Sequence, residues 1–154
     1  MEENKLQEIN LSVKILTIKL EDFKLVEVVP AALVNNLNKD KIQFEFNIGM
    51  NLDIVKKNIH IDLSTQLFAD EEKKINLGFL KTSGDFEVAN IEDIVKGYDG
   101  KVPNVILASL IGVLLSTSRG FLILKSEGTI MEGVIMPIMN PMAFFPKPLE
   151  VKAK

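Results

Sequence analysis

The segment KIQFEFNIGM, residues 41–50, alternates between apolar and polar side chains along its whole length. A period of two places one set of side chains on one face of a β-strand and the other set on the opposite face. We therefore predict a strand with one half-buried face and one solvated face. The apolar set is Ile42, Phe44, Phe46, Ile48 and Met50.

The segment that follows, NIHIDLSTQL at residues 58–67, repeats this alternation. Ile59, Ile61, Leu63 and Leu67 are predicted to face inwards, and His60, Asp62, Ser64 and Gln66 outwards. The intervening residues 51–58 and the stretch ADEEKK at 69–74 are short and polar, which favours an antiparallel meander.

Two further strands show a slip in their apolar phase. In LSVKILTIKLEDF, residues 11–23, the phase changes between Ile15 and Leu16, and in KINLGFLKTSGDFEV, residues 74–88, it changes between Phe79 and Leu80. One extra residue in a strand has this effect, so a β-bulge is predicted in each. The alternative is a strand that is buried on both faces at its middle.

A long apolar connection, residues 24–40, joins the first two strands, and Pro30 disfavours continued strand pairing in it. After the sheet, NIEDIVKGYDG predicts a short helix over 90–97, with Asn90 as its cap and Gly97 at its end. A long helix is predicted over 103–127.

The predicted fold is therefore α+β. A four-stranded antiparallel sheet over residues 11–90 is followed by a short and a long C-terminal helix that pack on the sheet. An apolar segment over 128–148 completes a single domain, 1–154.

The long helix is apolar on nearly all sides between residues 105 and 115. One sheet covers only one face of such a helix, so a second subunit is expected on the other face. A membrane span is disfavoured because polar residues 116–119 interrupt the apolar run after eleven residues. The residues expected between copies are Leu11, Val13, Ile106, Leu110, Val113 and Leu114.

Composition argues against most catalytic chemistry. The chain has no cysteine, one histidine (His60) and no phosphate-binding glycine motif. We expect a protein that is not an enzyme and that needs no cofactor and no metal. Residues 1–100 hold 12 lysines against 18 carboxylates, and no dense basic stripe suits nucleic acid. The acidic, polar start MEENKLQEIN does not resemble a secretory signal, so we expect a cytoplasmic protein.

Arg119 is the only arginine, and we expect it to pair with a carboxylate, with anion binding as the alternative. The segment GTIMEGVIMPIMNPMAFFPKP, residues 128–148, contains four of the six methionines and four of the six prolines. Methionine adapts to many partner shapes, which suits a promiscuous binding surface. The competing interpretation is that these methionines fill gaps in the core.

The stretch STSRGFLILKSEGTIMEGVIMPIMNPMAFF, together with the four strands and the long helix, resembles the SecB-like family of export chaperones. Two features differ from classical members of the family. FLILKSE separates the Ser-Arg-Gly and Gly-Thr motifs, which run together in those members, and the C-terminus is basic instead of acidic. The matching positions are Ser118, Arg119, Gly120, Gly128, Thr129, Pro137 and Asn140.

The resemblance implies a homotetramer, arranged as a dimer of dimers, that holds unfolded polypeptides or preproteins in apolar grooves without ATP. It also implies a role in protein export, with Asp62, Asp85 and Glu87 as candidate contacts to the SecA motor. The client-binding residues it suggests are Leu25, Val28, Val29, Phe44, Phe46, Met131, Met136, Ile138, Met139, Met142, Phe144 and Phe145.

Three alternatives stay open. The first is a regulatory module whose apolar loop closes over one small hydrophobic ligand. The second is a chaperone dedicated to a single partner, including a toxin–antitoxin component. The third is a peripheral membrane protein that uses residues 105–115 and 130–145 as anchors, against which the scarcity of flanking lysines argues.

Overall fold

The computed structural model describes residues 10–25, 37–73 and 75–145. Four strands form one antiparallel sheet in the order β1-β4-β3-β2, so that β2, β3 and β4 make a meander and β1 pairs with β4. Their bounds are β1 Val13–Leu25, β2 Gln43–Asp53, β3 Asn58–Phe68 and β4 Asn76–Val88.

The predicted inner faces of the central strands are confirmed. All four inward residues of β3 are at most 1% exposed, because β3 lies between two strands and under a helix. In β2, which is an edge strand, Phe44, Phe46 and Ile48 are half-buried and Met50 is exposed. The sheet therefore leaves part of its apolar face open along β2.

The bulge predicted in β1 is present. Its register against β4 shifts between Ile15 and Thr17, so that Leu16 is the extra residue, and it shifts again between Leu20 and Asp22. In β4 the shift falls at Leu77 and not between Phe79 and Leu80. The predicted position was wrong because Gly78 has no side chain to mark the phase of the strand at that point.

Two helices follow the sheet: α1, Ile91–Gly97, and α2, Asn104–Ser126. With the antiparallel sheet they confirm the predicted α+β class. The core between sheet and helices contains Ile91, Ile111, Leu114, Leu115 and Leu122 from the helices, all buried.

Close approach of α2 to the sheet depends on Gly84 in β4. A Cβ atom at this position would lie 2.8 Å from a ring carbon of Phe86 and 3.2 Å from Leu114 Cδ2. Nearby, the buried hydroxyls of Thr82 and Ser118 share a hydrogen bond of 2.7 Å. Gly84 therefore allows α2 to lie close to the sheet, and the Thr82–Ser118 hydrogen bond joins the two.

Asn90 has a different role from the predicted side-chain cap. It precedes α1, but its side chain makes no capping hydrogen bond to that helix. Instead its Oδ1 accepts a hydrogen bond from the Ser12 amide at 3.3 Å, and its Nδ2 donates to the Asn10 carbonyl. The side chain thus ties the start of β1 to the start of α1.

By length and composition, α2 is a helix that could cross a membrane. However, 44% of its most apolar window is buried within the subunit. Of the predicted connection between β1 and β2, residues 26–36 lie outside the described residues, and with them Val28 and Val29.

Candidate functional site

Arg119 fixes the middle of the C-terminal apolar segment against α2. Its Nε donates to the Met136 carbonyl at 2.9 Å, and its Nη2 donates to the Pro137 carbonyl at 3.0 Å. Two backbone oxygens thus take the place of the predicted carboxylate. The segment after α2 has no regular secondary structure there to satisfy these carbonyls, and the guanidinium fork supplies two donors at once.

Arg119→Lys is expected to loosen this segment, because a lysine ammonium cannot reproduce the two parallel contacts. We expect the free energy of unfolding to fall by about 1.5 kcal/mol. Hydrogen exchange in residues 134–145 should be faster, whereas the exposed control Lys125→Arg should leave both quantities unchanged. Unaltered exchange in the Arg119 variant would contradict this role.

The methionines of the C-terminal segment divide between core and surface. Met131 and Met136 are 0% and 1% exposed and pack in the core with Val134. Within the subunit they fill the core, as the competing interpretation of the sequence proposed. In contrast, Met139 is half-buried and Met142 is exposed.

Predicted client-binding residues of β2 and of the C-terminal segment meet at an aromatic contact. Phe44 and Phe46 stack on β2 with ring centroids 6.4 Å apart, and the ring of Phe144 meets Phe46 edge-on at 5.9 Å. Phe145 is half-buried beside them, and Ile138 is 92% exposed. The structure therefore brings the C-terminal segment onto the open side of β2.

Leu25 lies apart from this cluster, at the opposite edge of the sheet. It pairs with Gly78 of β4, which pairs with Leu67 of β3, which in turn pairs with Phe44. Residues that pair directly share a face, so Leu25 and Phe44 belong to one row across the inner face. Three strand spacings, roughly 14 Å, separate their backbones.

Two open cavities lie along β2, on the side of its apolar residues. The β2-start cavity, of about 350 Å³, is lined by Ile42 and Phe44 together with Gly133, Ile135 and Pro137. Lys39 also lines it and donates a hydrogen bond to the Glu132 carbonyl. This bond holds the C-terminal segment close to the start of β2.

The β2-end cavity, of about 370 Å³, lies at the other end of the strand. Met50 and Leu52 of β2 line it, and Lys101, Val102 and Leu107 line it from the region between the helices and the start of α2. No local sequence pattern indicates this site. Its apolar residues come from two distant stretches of the chain, and only the pairing of the strands brings them together.

The residues predicted to lie between copies are buried or half-buried within the subunit. Ile106, Leu110 and Leu114 face the core of their own subunit, and Leu11, Val13 and Val113 are half-buried. A helix that is apolar on all sides does not indicate which side the sheet will cover. The large apolar side chains that are exposed on α2 and β1 are Val105, Ile123, Leu124, Ile15 and Leu16.

The outer face of the sheet has a polar network centred on Asp85. Its Oδ1 lies 2.8 Å from His60 Nδ1 and accepts from Asn58 Nδ2 at 3.3 Å, and its Oδ2 accepts from Thr17 Oγ1 at 3.0 Å. His60 Nε2 lies 3.4 Å from Asp62 Oδ2. Two of the predicted SecA-contact carboxylates thus adjoin the only histidine.

These contacts change the titration of both groups. The hydrogen bond to Asp85 raises the pKa of His60 above its ordinary value, against the opposing effect of burial. For Asp85, burial acts to raise the pKa, but the hydrogen bonds from His60, Asn58 and Thr17 outweigh it and leave the pKa below its ordinary value.

The pair therefore predicts a pH-dependent stability. Protonated His60 stabilises the fold below its ordinary pKa of 6.5, and this contribution is lost as pH rises through the raised pKa. Ionised Asp85 stabilises the fold above its ordinary pKa of 3.8, and this contribution is lost as pH falls through the lowered pKa. The contribution of the pair is thus largest between pH 3.8 and 6.5.

His60→Gln should remove this contribution. Both side chains are about one third exposed, so we expect about 0.5 kcal/mol at pH 5.5 and less at pH 8.5. Thermal unfolding at the two pH values measures it, with the outward-facing Gln66→Ala as the control. A difference that is larger at pH 8.5 would contradict the assignment.

No protein-family model and no curated protein matches this sequence. Among solved structures, the chain is similar to a SecB-like chaperone from Mycobacterium tuberculosis in complex with a ChAD peptide from the HigA1 antitoxin. The two are 11% identical over 83% of this chain and 86% of that chain, with a TM-score of 0.48. It is also similar to a protein of unknown function from Streptococcus agalactiae, at 14% identity over 83% and 98% of the chains and a TM-score of 0.45.

Proposed function

We propose that this chain is an ATP-independent chaperone of the SecB-like type, which holds unfolded polypeptides against an apolar surface. The observation that carries the proposal is the open apolar surface along β2 and the C-terminal segment. It includes both cavities and the exposed side chains of Ile135, Ile138 and Met142. Two open cavities with exposed apolar side chains beside them suit an interaction site.

The shape of this surface suits a polypeptide. Both cavities are open to solvent, and they lie at the two ends of one eleven-residue strand. Each apolar side chain that a client buries contributes about 1.5–3 kcal/mol, so several contacts give useful affinity without sequence specificity. Binding of this kind withdraws unfolded chains from aggregation by mass action and needs no nucleotide.

Three of the positions that carry the resemblance to the SecB-like family have structural roles that support the proposal. Ser118 joins α2 to the sheet through Thr82, and Arg119 holds the C-terminal segment beside β2. Thr129 closes the turn after α2 by donating to the Ser126 carbonyl. These three residues thus support the backbone beside the proposed binding surface.

We further propose a homo-oligomer, arranged as a dimer of dimers, in the cytoplasm. The exposed apolar residues of α2 and β1 support association of copies, since α2 leaves Leu124 and Val105 open to solvent. A role in protein export would add SecA as a partner, with Asp62, Asp85 and Glu87 on the outer face of the sheet as its contacts. This face is polar and lies away from the client surface.

Suppression of aggregation tests the function. Without ATP, a molar excess of the protein should suppress light scattering by a chemically unfolded client. Ile138→Ser/Met142→Ser should lose most of this activity, because both side chains are exposed and their loss removes apolar surface without opening the core. Val55→Ser, at the exposed turn between β2 and β3, is the matched control and should retain it.

Each result bears on one part of the proposal. Light-scattering mass and circular dichroism must show that the variants keep the fold and the oligomer of the parent. Parent activity that the double variant loses supports the C-terminal segment as the client surface. Absence of suppression by the parent would rule out general holdase activity.

A small hydrophobic ligand is a second candidate, and the β2-end cavity favours it. Its volume of about 370 Å³ falls within the range of small-molecule sites, and Lys101 lies at its lining beside apolar residues. An amphipathic carboxylate such as decanoate is the probe. Saturable binding that Lys101→Met weakens, without any suppression of aggregation by the parent, would favour this function over the chaperone.

A further inference from the structure

The two edges of the sheet differ in regularity. β1 contains two register shifts, whereas β2 pairs with β3 over eleven residues, from Gln43–Phe68 to Asp53–Asn58, without a shift. A regular edge strand presents an even row of N–H and C=O groups on its far side, and a bulged strand interrupts that row. β2 is therefore the edge better suited to receive another strand.

The side chains of the two edges point to the same conclusion. β1 has three lysines and two carboxylates among its thirteen residues, and charges of this kind discourage strand pairing. β2, QFEFNIGMNLD, contains no lysine and no proline. Its Glu45 is paired with Lys73 at 3.0 Å. Within residues 10–25, 37–73 and 75–145, no strand pairs with the far side of β2.

The two cavities give this edge a defined spacing. Phe44 lines the β2-start cavity and Met50 the β2-end cavity, and the two residues are six positions apart in one strand. At about 3.4 Å per residue this separation is roughly 20 Å. Between the cavities, Phe144 packs on Phe46 and closes the middle of the surface.

We propose that a bound polypeptide adds to β2 as a fifth strand and places apolar side chains, six residues apart, in the two cavities. The inference rests on the proposed chaperone function and specifies its substrate: an extended, proline-free segment of at least seven residues. Main-chain hydrogen bonds give affinity whatever the sequence, and the two cavities select apolar residues at the matching spacing.

N-methylated peptides test this mode. The probe is a fluorescent nine-residue peptide with leucine at positions 2 and 8 and threonine or lysine elsewhere. In a strand, the N–H groups of successive residues point to opposite edges. When the leucines face the cavities, either the odd-numbered or the even-numbered residues therefore pair with β2, but not both. Methylation of residues 3, 5 and 7, or of residues 4, 6 and 8, should therefore weaken binding more than tenfold for one set and less than threefold for the other.

Spacing gives an independent measurement. A peptide with leucine at positions 2 and 5 should bind at least fivefold more weakly than the original peptide. Met50→Glu should abolish this difference, because it places a charge in one of the two cavities, while Val55→Ser should preserve it. Equal effects of the two methylated sets would overturn strand addition in favour of capture by side chains alone.

The remaining outcomes separate this inference from the proposed function. Suppression of aggregation without peptide binding would overturn strand addition and leave the chaperone function standing. Absence of both would overturn the function as well. A fall in light-scattering mass when the peptide is added would show that a second copy of the chain holds the β2 edge, and this too would overturn the proposal.

Discussion

Gly78→Ala is expected to lower the free energy of unfolding by about 3 kcal/mol. Gly78 has φ +148°, a conformation that residues with a side chain rarely adopt. An added Cβ would also lie 2.2 Å from the Lys24 carbonyl oxygen and 3.0 Å from Leu25 Cα. Both atoms belong to the backbone of β1, so the end of β1 must separate from β4 to relieve the contact.

Gly120→Ala is the matched control. Gly120 lies on the exposed side of α2, and an added Cβ would meet no atom within 4 Å. Alanine is the better helix former, so this variant should be more stable by about 1 kcal/mol. Urea unfolding followed by circular dichroism measures both substitutions. Equal stability of Gly78→Ala and the parent would show that the edge at β1 tolerates the extra atom.

Met136→Ala is the second large effect, with an expected loss of about 2–5 kcal/mol. The side chain is 1% exposed and packs in the core, so its truncation removes buried apolar contacts and leaves a cavity. Met131→Ala should act in the same way, since Met131 is fully buried. Chemical unfolding measures both losses.

Met142→Ala separates the two roles of methionine in this segment. Its side chain is 44% exposed, so truncation should change stability by less than about 1 kcal/mol. Aggregation assays on Met131→Ala, Met136→Ala and Met142→Ala then show whether a loss of chaperone activity comes from a buried or an exposed methionine. A small change in the free energy of unfolding for Met136→Ala would instead indicate that this side chain belongs to the client-binding surface and not to the core.

The elements that the sequence predicted best are those whose pattern has only one arrangement in space. The strict alternation in β3 allows one inner face, and the structure buries that face completely. The slip at Leu16 allowed two interpretations, and the register confirms the extra residue over a strand that is buried on both faces. The bulge in β4 was predicted at the wrong position because Gly78 contributes no side chain to the apolar pattern.

The candidate site was harder to predict because part of it lies in the C-terminal segment, which has no periodic apolar pattern. Nothing in the local sequence distinguishes buried Met136 from exposed Met142, since neither lies in a helix or strand with a periodic apolar pattern. The β2-end cavity joins Met50 to Lys101, which are 51 positions apart. Only strand order and helix placement bring such residues together.

The strand order has a consequence for the making of the protein. β1 leaves the ribosome well before its partner β4, which lies much later in the chain. Leu25 pairs with Gly78, 53 residues later, and Val13 pairs with Val88, 75 residues later. At about 5–20 residues per second, β1 waits several seconds for a partner. The meander of β2, β3 and β4 can close from local contacts in the meantime. The nascent chain thus passes through a stage in which β1 is unpaired, and its three lysines and two carboxylates then discourage pairing with another chain.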